Sequence, residues 1–174
     1  YKGEDFKYEV TLEHLLTHTS GVNDYFEGKT REGKTFLEGV FENKDHLYTP
    51  LELLDFTRNH QKAVGRPGEK FLYSDTGFVL VGLTLEALYE KPYADILRDK
   101  VINPLNLENT ALCFYDERFN QESLAPLYFR GVEMSQAKSL SCDHAGGGLQ
   151  TSTKDLSRFL HGLFEGELIT KESL

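Results

Sequence analysis

The sequence predicts a mainly helical chain with a few short strands and long ordered loops, and three stretches carry that prediction. Phe78 to Leu88 is apolar apart from Glu86 and follows Ser74, Asp75 and Thr76, all competent helix N-caps. Thr49-Pro50-Leu51-Glu52 has the spacing of a capping box with proline at the first helical position. Leu156, Phe159, Leu160, Leu163 and Phe164 recur at i, i+3, i+4, i+7 and i+8 behind the capping pair Ser152 and Asp155, which makes one amphipathic helix.

The remaining elements follow in chain order. Thr11 caps a short helix whose Leu12, Leu15 and Leu16 form an apolar stripe, with Gly21 expected as its stop. Asn23 to His46 is rich in Gly, Lys and Glu and reads as a surface excursion with one helical turn near Phe36 to Phe41. The Thr49-capped helix runs from Pro50 to about Asn59, with Leu51, Leu54 and one of Leu53 or Phe56 turned inward. Pro67-Gly68 makes a turn, Lys70 to Tyr73 is extended, and the apolar helix follows.

That helix is expected to be buried all round, with Val81, Leu85 and Leu88 in the core against the Leu156–Phe164 helix or its neighbours. It is too short to span a bilayer. Gly77 and Gly82 lower its helix propensity and suggest close approach of another backbone. Pro92 opens a further helix carrying Tyr93, Ile96, Leu97 and Val101, which Asn103-Pro104 ends. A short apolar run follows from Ala111 to Tyr115. Periodicity is then lost from Asp116 to His144, apart from a strand candidate at Leu127 to Phe129, and a loop of that length points to a functional role.

At 174 residues with 39% hydrophobic and 27% charged side chains, the chain has the composition of one soluble globular domain. A formal charge of −9 argues against nucleic acid, which needs clustered Lys and Arg. Cys113 and Cys142 have no framework spacing and read as free thiols, and Tyr1 to Asp5 lacks the apolar region of a signal peptide.

Several constellations invite chemistry and are discounted. His14 and His18 stand four apart, as metal ligands on a helix do, with Cys142 and His144 as further candidates. The zinc-protease pattern needs Glu after the first His, where Leu15 stands, so a satisfied polar helix end is the reading preferred. Gly146, Gly147 and Gly148 lack the Gly-Lys-Ser context of a phosphate loop. Ser135-Gln136-Ala137-Lys138 has Ser-x-x-Lys spacing but no buried helix around it. Tyr73 and Asp75 are kept, because they stand at the opening of the apolar helix, where the backbone favours anions.

Tyr73-Ser74-Asp75 after Pro67-Gly68 resembles the Tyr-x-Asn element of the serine β-lactamase and penicillin-binding-protein family, in particular its class C, D-alanyl-D-alanine carboxypeptidase and esterase branch. Thr11 to Gly21, ending His18-Thr19-Ser20-Gly21, and Ala145 to Leu156, with its three glycines, resemble two more family stretches in the same order. The resemblance implies the helical portion of a β-lactamase/transpeptidase-like α+β domain, packed in the parent enzyme on an antiparallel sheet. The family's Ser-x-x-Lys normally precedes the first stretch, and its Lys-Thr-Gly or His-x-Gly follows the glycine run. Neither stands in its place, so residues 1–174 are expected to be a single piece from the centre of such a domain.

By resemblance the parent is a serine hydrolase that forms an acyl-enzyme with a β-lactam, a D-alanyl peptide or a small ester. This stretch alone is expected to be inactive. Tyr73 and Asp75 are the implied catalytic residues and Gly146, Gly147 and Gly148 the implied substrate wall, with no metal or organic cofactor. A serine must lose its proton on attack, and a tyrosine can take it only beside a cation, which the family's motif lysine supplies. Asp75 departs from the family's Asn, replacing a donor by an acceptor, which bears on β-lactam recognition. The family is mostly exported, which suggests an extracytoplasmic location. A competing reading is a non-catalytic module that binds cell-wall peptide or a protein partner. Surfaces that normally meet the sheet are expected to favour self-association.

Overall fold

The computed structural model describes residue 6, residues 8–33 and residues 35–174. Six α-helices dominate: α1 Leu12–Leu16, α2 Phe36–Glu42, α3 Pro50–His60, α4 Asp75–Tyr89, α5 Tyr93–Leu97 and α6 Thr153–Glu165. Their starts are local chemistry. Thr11, Thr35 and Thr49 each cap a helix through the side-chain oxygen and in return donate their backbone N–H to the side chains of His14, Glu38 and Glu52. Ser74 and Ser152 cap α4 and α6 through Gly77 N and Asp155 N. Pro92 stands one place outside α5 as its cap, and α5 continues through the wider turn Arg98–Ile102.

Strands are two residues long. β1 (Ala111–Leu112) pairs antiparallel with β4 (Leu149–Gln150), and β2 (Tyr128–Phe129) with β3 (Val132–Glu133). Between β3 and β4 a 3-10 segment, Lys138–Gly146, is broken at His144, whose backbone lies at φ 38°, ψ −122°. The extended run Lys70 to Tyr73 is not a strand, although Leu72 N donates to His18 O at 2.9 Å.

Four expectations are corrected. On α3 Leu51, expected to face inward, is exposed, while Leu53 is fully buried. α1 ends with Thr17 as its C-cap, and His18, not Gly21, takes the first left-handed position after it at φ 57°. The stretch Asn23 to His46 is not merely a surface excursion: Tyr25, Phe36 and Val40 sit in the main core with Leu53, Val79, Met134, Ala137 and Cys142. And α4 is not buried all round. Val79 is fully buried, Val81 and Leu85 are half-buried, and Leu88 is 72% exposed.

The reason is how α4 is wrapped. It packs on α1, α3, α5 and the 3-10 segment, and the face it buries is carried by Thr76, Gly77, Val79 and Gly82. The glycine at 82 is required, because a Cβ there would stand 2.6 Å from Ala145 Cβ. α6 instead lays Phe159 on a second cluster of Ile102, Leu105 and Leu107, while Leu156, Leu160 and Phe164 stay exposed. An apolar stripe identifies a face but not what lies on it. Among the described residues no helix is long and apolar enough to cross a membrane.

Candidate active site

The candidate residues assemble at the N-terminus of α4. Tyr73, 51% exposed, donates its hydroxyl to Asp75 Oδ1 at 2.9 Å. That bond, helped by burial and by the negative charge of Asp75, pushes the phenol up to about 12. Burial raises the Asp75 carboxyl above its ordinary value, and the bond from Tyr73 only partly opposes this. As placed, Tyr73 is a phenol that holds its proton. A base role at this position needs a cation beside it to favour the phenolate.

The backbone beneath the pair is tied to the stretch that follows α1. Ser74 N donates to His18 Nδ1 at 3.1 Å, Ser74 Oγ to Asn23 O at 3.2 Å, and Asp75 N to Asp24 Oδ1 at 3.0 Å. Gly68 N and Val64 N donate to Thr19 O and Gly21 O at 2.8 and 3.0 Å. Gly21 sits at φ 76°, and a Cβ there would be 2.2 Å from Gly65 O, so only glycine allows the two chains to approach. Buried Asp24 also accepts from Glu27 N at 2.7 Å, and Gln61 Nε2 donates to its carbonyl at 2.6 Å. Asp24 is thus a bracket for the site.

The glycine run closes the other side. Gly146 lies against Asp75, since a Cβ on it would stand 3.2 Å from Asp75 Oδ1; Gly147 has open space above it. Gly148 is buried and turned inward, donating to His144 O at 3.2 Å and accepting from Cys113 N at 2.7 Å. The structure therefore brings Gly146 to the Tyr73–Asp75 pair and leaves Gly147 facing solvent, while Gly148 anchors the run to β1.

Behind the run, burial and the nearby Asp75 charge push Asp143 up to about 6. His144 is buried, its ring packed against Tyr93 and Tyr115, and burial pushes it down to about 4, so it is neutral at pH 7. Tyr25 N donates to Thr76 Oγ1 at 2.9 Å and its hydroxyl to Cys142 O at 2.5 Å, which joins α4 to the 3-10 segment.

The discounted features have other employment. His14 Nδ1 accepts from Thr11 N at 3.2 Å, and His18 has left the helix, so the two imidazoles do not share a helical face. Among the described residues no three His, Cys, Asp or Glu side chains converge on a metal position, and both cysteines are free. Buried Ser135 accepts from Leu127 N at 2.7 Å, while Lys138 is exposed. A cavity of about 580 Å³ between α2 and α3, lined by Phe36, Tyr48 and Phe56 among others, contains none of the candidate residues. Sequence reasoning missed Asp24, Asp143 and the part played by His18. Asp24 carried no signal at all, whereas His18 and His144 were noticed and set aside as metal ligands.

The capped helix presenting a tyrosine, with a glycine run against it, is the frame of a serine-hydrolase class, and residues 2–174 match the family model for Beta-lactamase. The chain belongs to that family of serine hydrolases. It is similar to penicillin-binding protein 4* of Bacillus subtilis (strain 168), at 26% identity over 97% of this chain and 39% of that protein. Among solved structures, a D-amino acid amidase from Ochrobactrum anthropi SV3 matches with a TM-score of 0.80 and 26% identity, over 98% of this chain and 46% of that one. A D-stereospecific amidohydrolase from Streptomyces sp. matches with a TM-score of 0.81 and 28% identity, over 99% and 51% respectively. The chain thus spans about half or less of the relatives it matches.

Proposed function

We propose that these residues are the central part of a hydrolase that cleaves an amide or ester through an acyl-enzyme, with a D-alanyl peptide, a D-amino acid amide, a β-lactam or a small ester as substrate. The reading rests on one observation: the Tyr73 hydroxyl is held at 2.9 Å from Asp75 at the opening of α4, with Gly146 against the same carboxylate. The nucleophilic serine and its lysine are assigned to the family's Ser-x-x-Lys, which resemblance puts before His18. The serine oxygen attacks the carbonyl carbon and its proton passes to the lysine and Tyr73 pair. Tyr73 then returns a proton to the departing nitrogen or oxygen, and water repeats the sequence on the acyl ester. Gly147, with open space over it, forms part of the wall along which substrate lies.

The test compares kcat/KM for a D-amino acid amide, a small ester and a penicillin in the full-length protein and two variants. Tyr73→Phe should lower turnover by about 100-fold or more with folding unchanged, the usual scale for a general acid or base. Asp75→Asn, which turns an acceptor into a donor, should raise reactivity toward penicillin relative to ester. Full activity in Tyr73→Phe would show that the motif match is structural and would favour the non-catalytic binding module. Residues 1–174 on their own should be inert, with no adduct by intact mass after a reactive penicillin or a fluorophosphonate; an adduct on Ser135 would overturn this. We also infer that the exposed stripe of Leu156, Leu160 and Phe164 makes this chain self-associate.

A further inference from the structure

We infer that His18 is a positioning residue that sets the Tyr73 hydroxyl on Asp75, an inference that rests on the reading of Tyr73 as the proton carrier. Residue 73 is gripped on both sides by the one histidine. Its carbonyl accepts from Leu72 N at 2.9 Å and its ring Nδ1 accepts from Ser74 N at 3.1 Å. His18 stands in the left-handed region, φ 57°, with its carbonyl and its ring on the same extended segment. The acceptor at Nδ1 places the proton of the neutral ring on Nε2.

The ring adds a third contact. It lies 4.5 Å from the Tyr73 ring, tilted by 36°, and is flanked by Phe78 at 5.3 Å and Phe71 at 5.8 Å. The tyrosine is half-exposed and its hydroxyl bonds only to Asp75 among the described hydrogen bonds, so the direction of the phenol follows from the backbone at 72–74 and the ring beneath it. Without the acceptor at residue 18, Ser74 N loses its partner and the segment is free to rotate Tyr73 off Asp75.

Two variants separate the acceptor from the ring. Asn tolerates a left-handed backbone and carries Oδ1 where His carries Nδ1, so His18→Asn keeps the acceptor; His18→Phe keeps a ring and loses it. The readout is the ionisation of Tyr73 in the 174-residue chain labelled with 13Cζ-tyrosine, the resonance being assigned by its loss in Tyr73→Phe. With the phenol pushed up to about 12 in this structure, it is mostly protonated at pH 10.5, whereas one at the ordinary value is about three-quarters ionised. His18→Asn should match the parent chain at that pH, and His18→Phe should be more ionised than the parent chain, toward the ordinary value. Far-ultraviolet circular dichroism and methyl spectra at the same pH confirm that each variant is folded, and His18→Ala replaces His18→Phe if the larger ring does not fit. A folded His18→Phe or His18→Ala chain with unchanged Tyr73 ionisation overturns the inference, as does a His18→Asn chain that behaves like His18→Phe. In the full-length protein, His18→Phe should lower kcat about tenfold with KM nearly unchanged, and His18→Asn should recover most of it. Because ionisation is read without turnover, an inert Tyr73 would sink the proposed reaction and leave the His18 test standing.

Discussion

The two ends of α4 have opposite fates: the polar opening Ser74-Asp75-Thr76 is held, and the apolar end Ala87-Leu88-Tyr89 is left in solvent. At its N-terminus Ser74, Asp75 and Thr76 take bonds from or give bonds to Asn23, Asp24, Tyr25 and Thr57, and Thr76, Gly77 and Val79 are buried. At its C-terminus Leu88 and Tyr89 are 72% and 45% exposed, and the chain leaves through Glu90 at φ 52°. Apolarity is therefore a poor guide to where this helix is held. The held end is the one where long-range hydrogen bonds converge, and that is where the phenol and carboxylate stand.

The sharpest way to break this contrast is to push apart the two chains that clamp the held end. Gly21→Ala combines a left-handed backbone with a clash on Gly65 O at 2.2 Å. It should cost about 3 kcal/mol or more, which a urea midpoint measures. A loss below about 1 kcal/mol would mean that the clamp yields without consequence.

Charge at the held end comes next. Asp143 rises from 3.8 to about 6 on folding, so the native state binds the extra proton and this stability is present at low pH and lost as pH rises through 6. His144 falls from 6.5 to about 4, so it contributes stability that is lost as pH falls through that range. The two slopes oppose each other between about pH 4 and 6. Asp143→Asn should stabilise the chain by about 2 kcal/mol at pH 7, and stability should then fall more steeply on acidification, since the histidine slope is left with less to oppose it. Equal melting curves for both chains at pH 7 and pH 4.5 would rule this out.

A matched pair along the helix sharpens the comparison. Val79→Ala should cost about 2 kcal/mol and Leu88→Ala no more than about 0.5 kcal/mol, by chemical denaturation. Comparable losses at the two positions would mean that Leu88 is covered in solution. The smallest effect on stability is expected on α6, where Leu160→Glu should leave the melt almost unchanged and shift sedimentation toward monomer. A chain that is already monomeric at high concentration would dispose of the self-association inference.

Helix starts were legible because a cap closes its hydrogen bonds within four residues, and no distant partner is consulted. Thr49 with Glu52 and Ser152 with Asp155 behave as their spacing requires, and of the three candidate caps Ser74, Asp75 and Thr76 the role falls to Ser74, through Gly77 N. The adjacency of Tyr73 and Asp75 at a helix opening was legible for the same reason; of the two glycines read as places of close backbone approach, Gly82 faces the side chains of Ala145 and His144, and at Gly77 a Cβ would meet Leu15 O at an ordinary 3.5 Å. What the sequence could not state was anything resting on residues far apart along the chain. Asp24 beneath Asp75 N, His18 around residue 73, and Asp143 and His144 behind Gly146 depend on how α1, α4 and the 3-10 segment meet, as does which face of α4 stays dry. Periodicity records that a side chain is apolar, and only packing decides whether another surface lies against it.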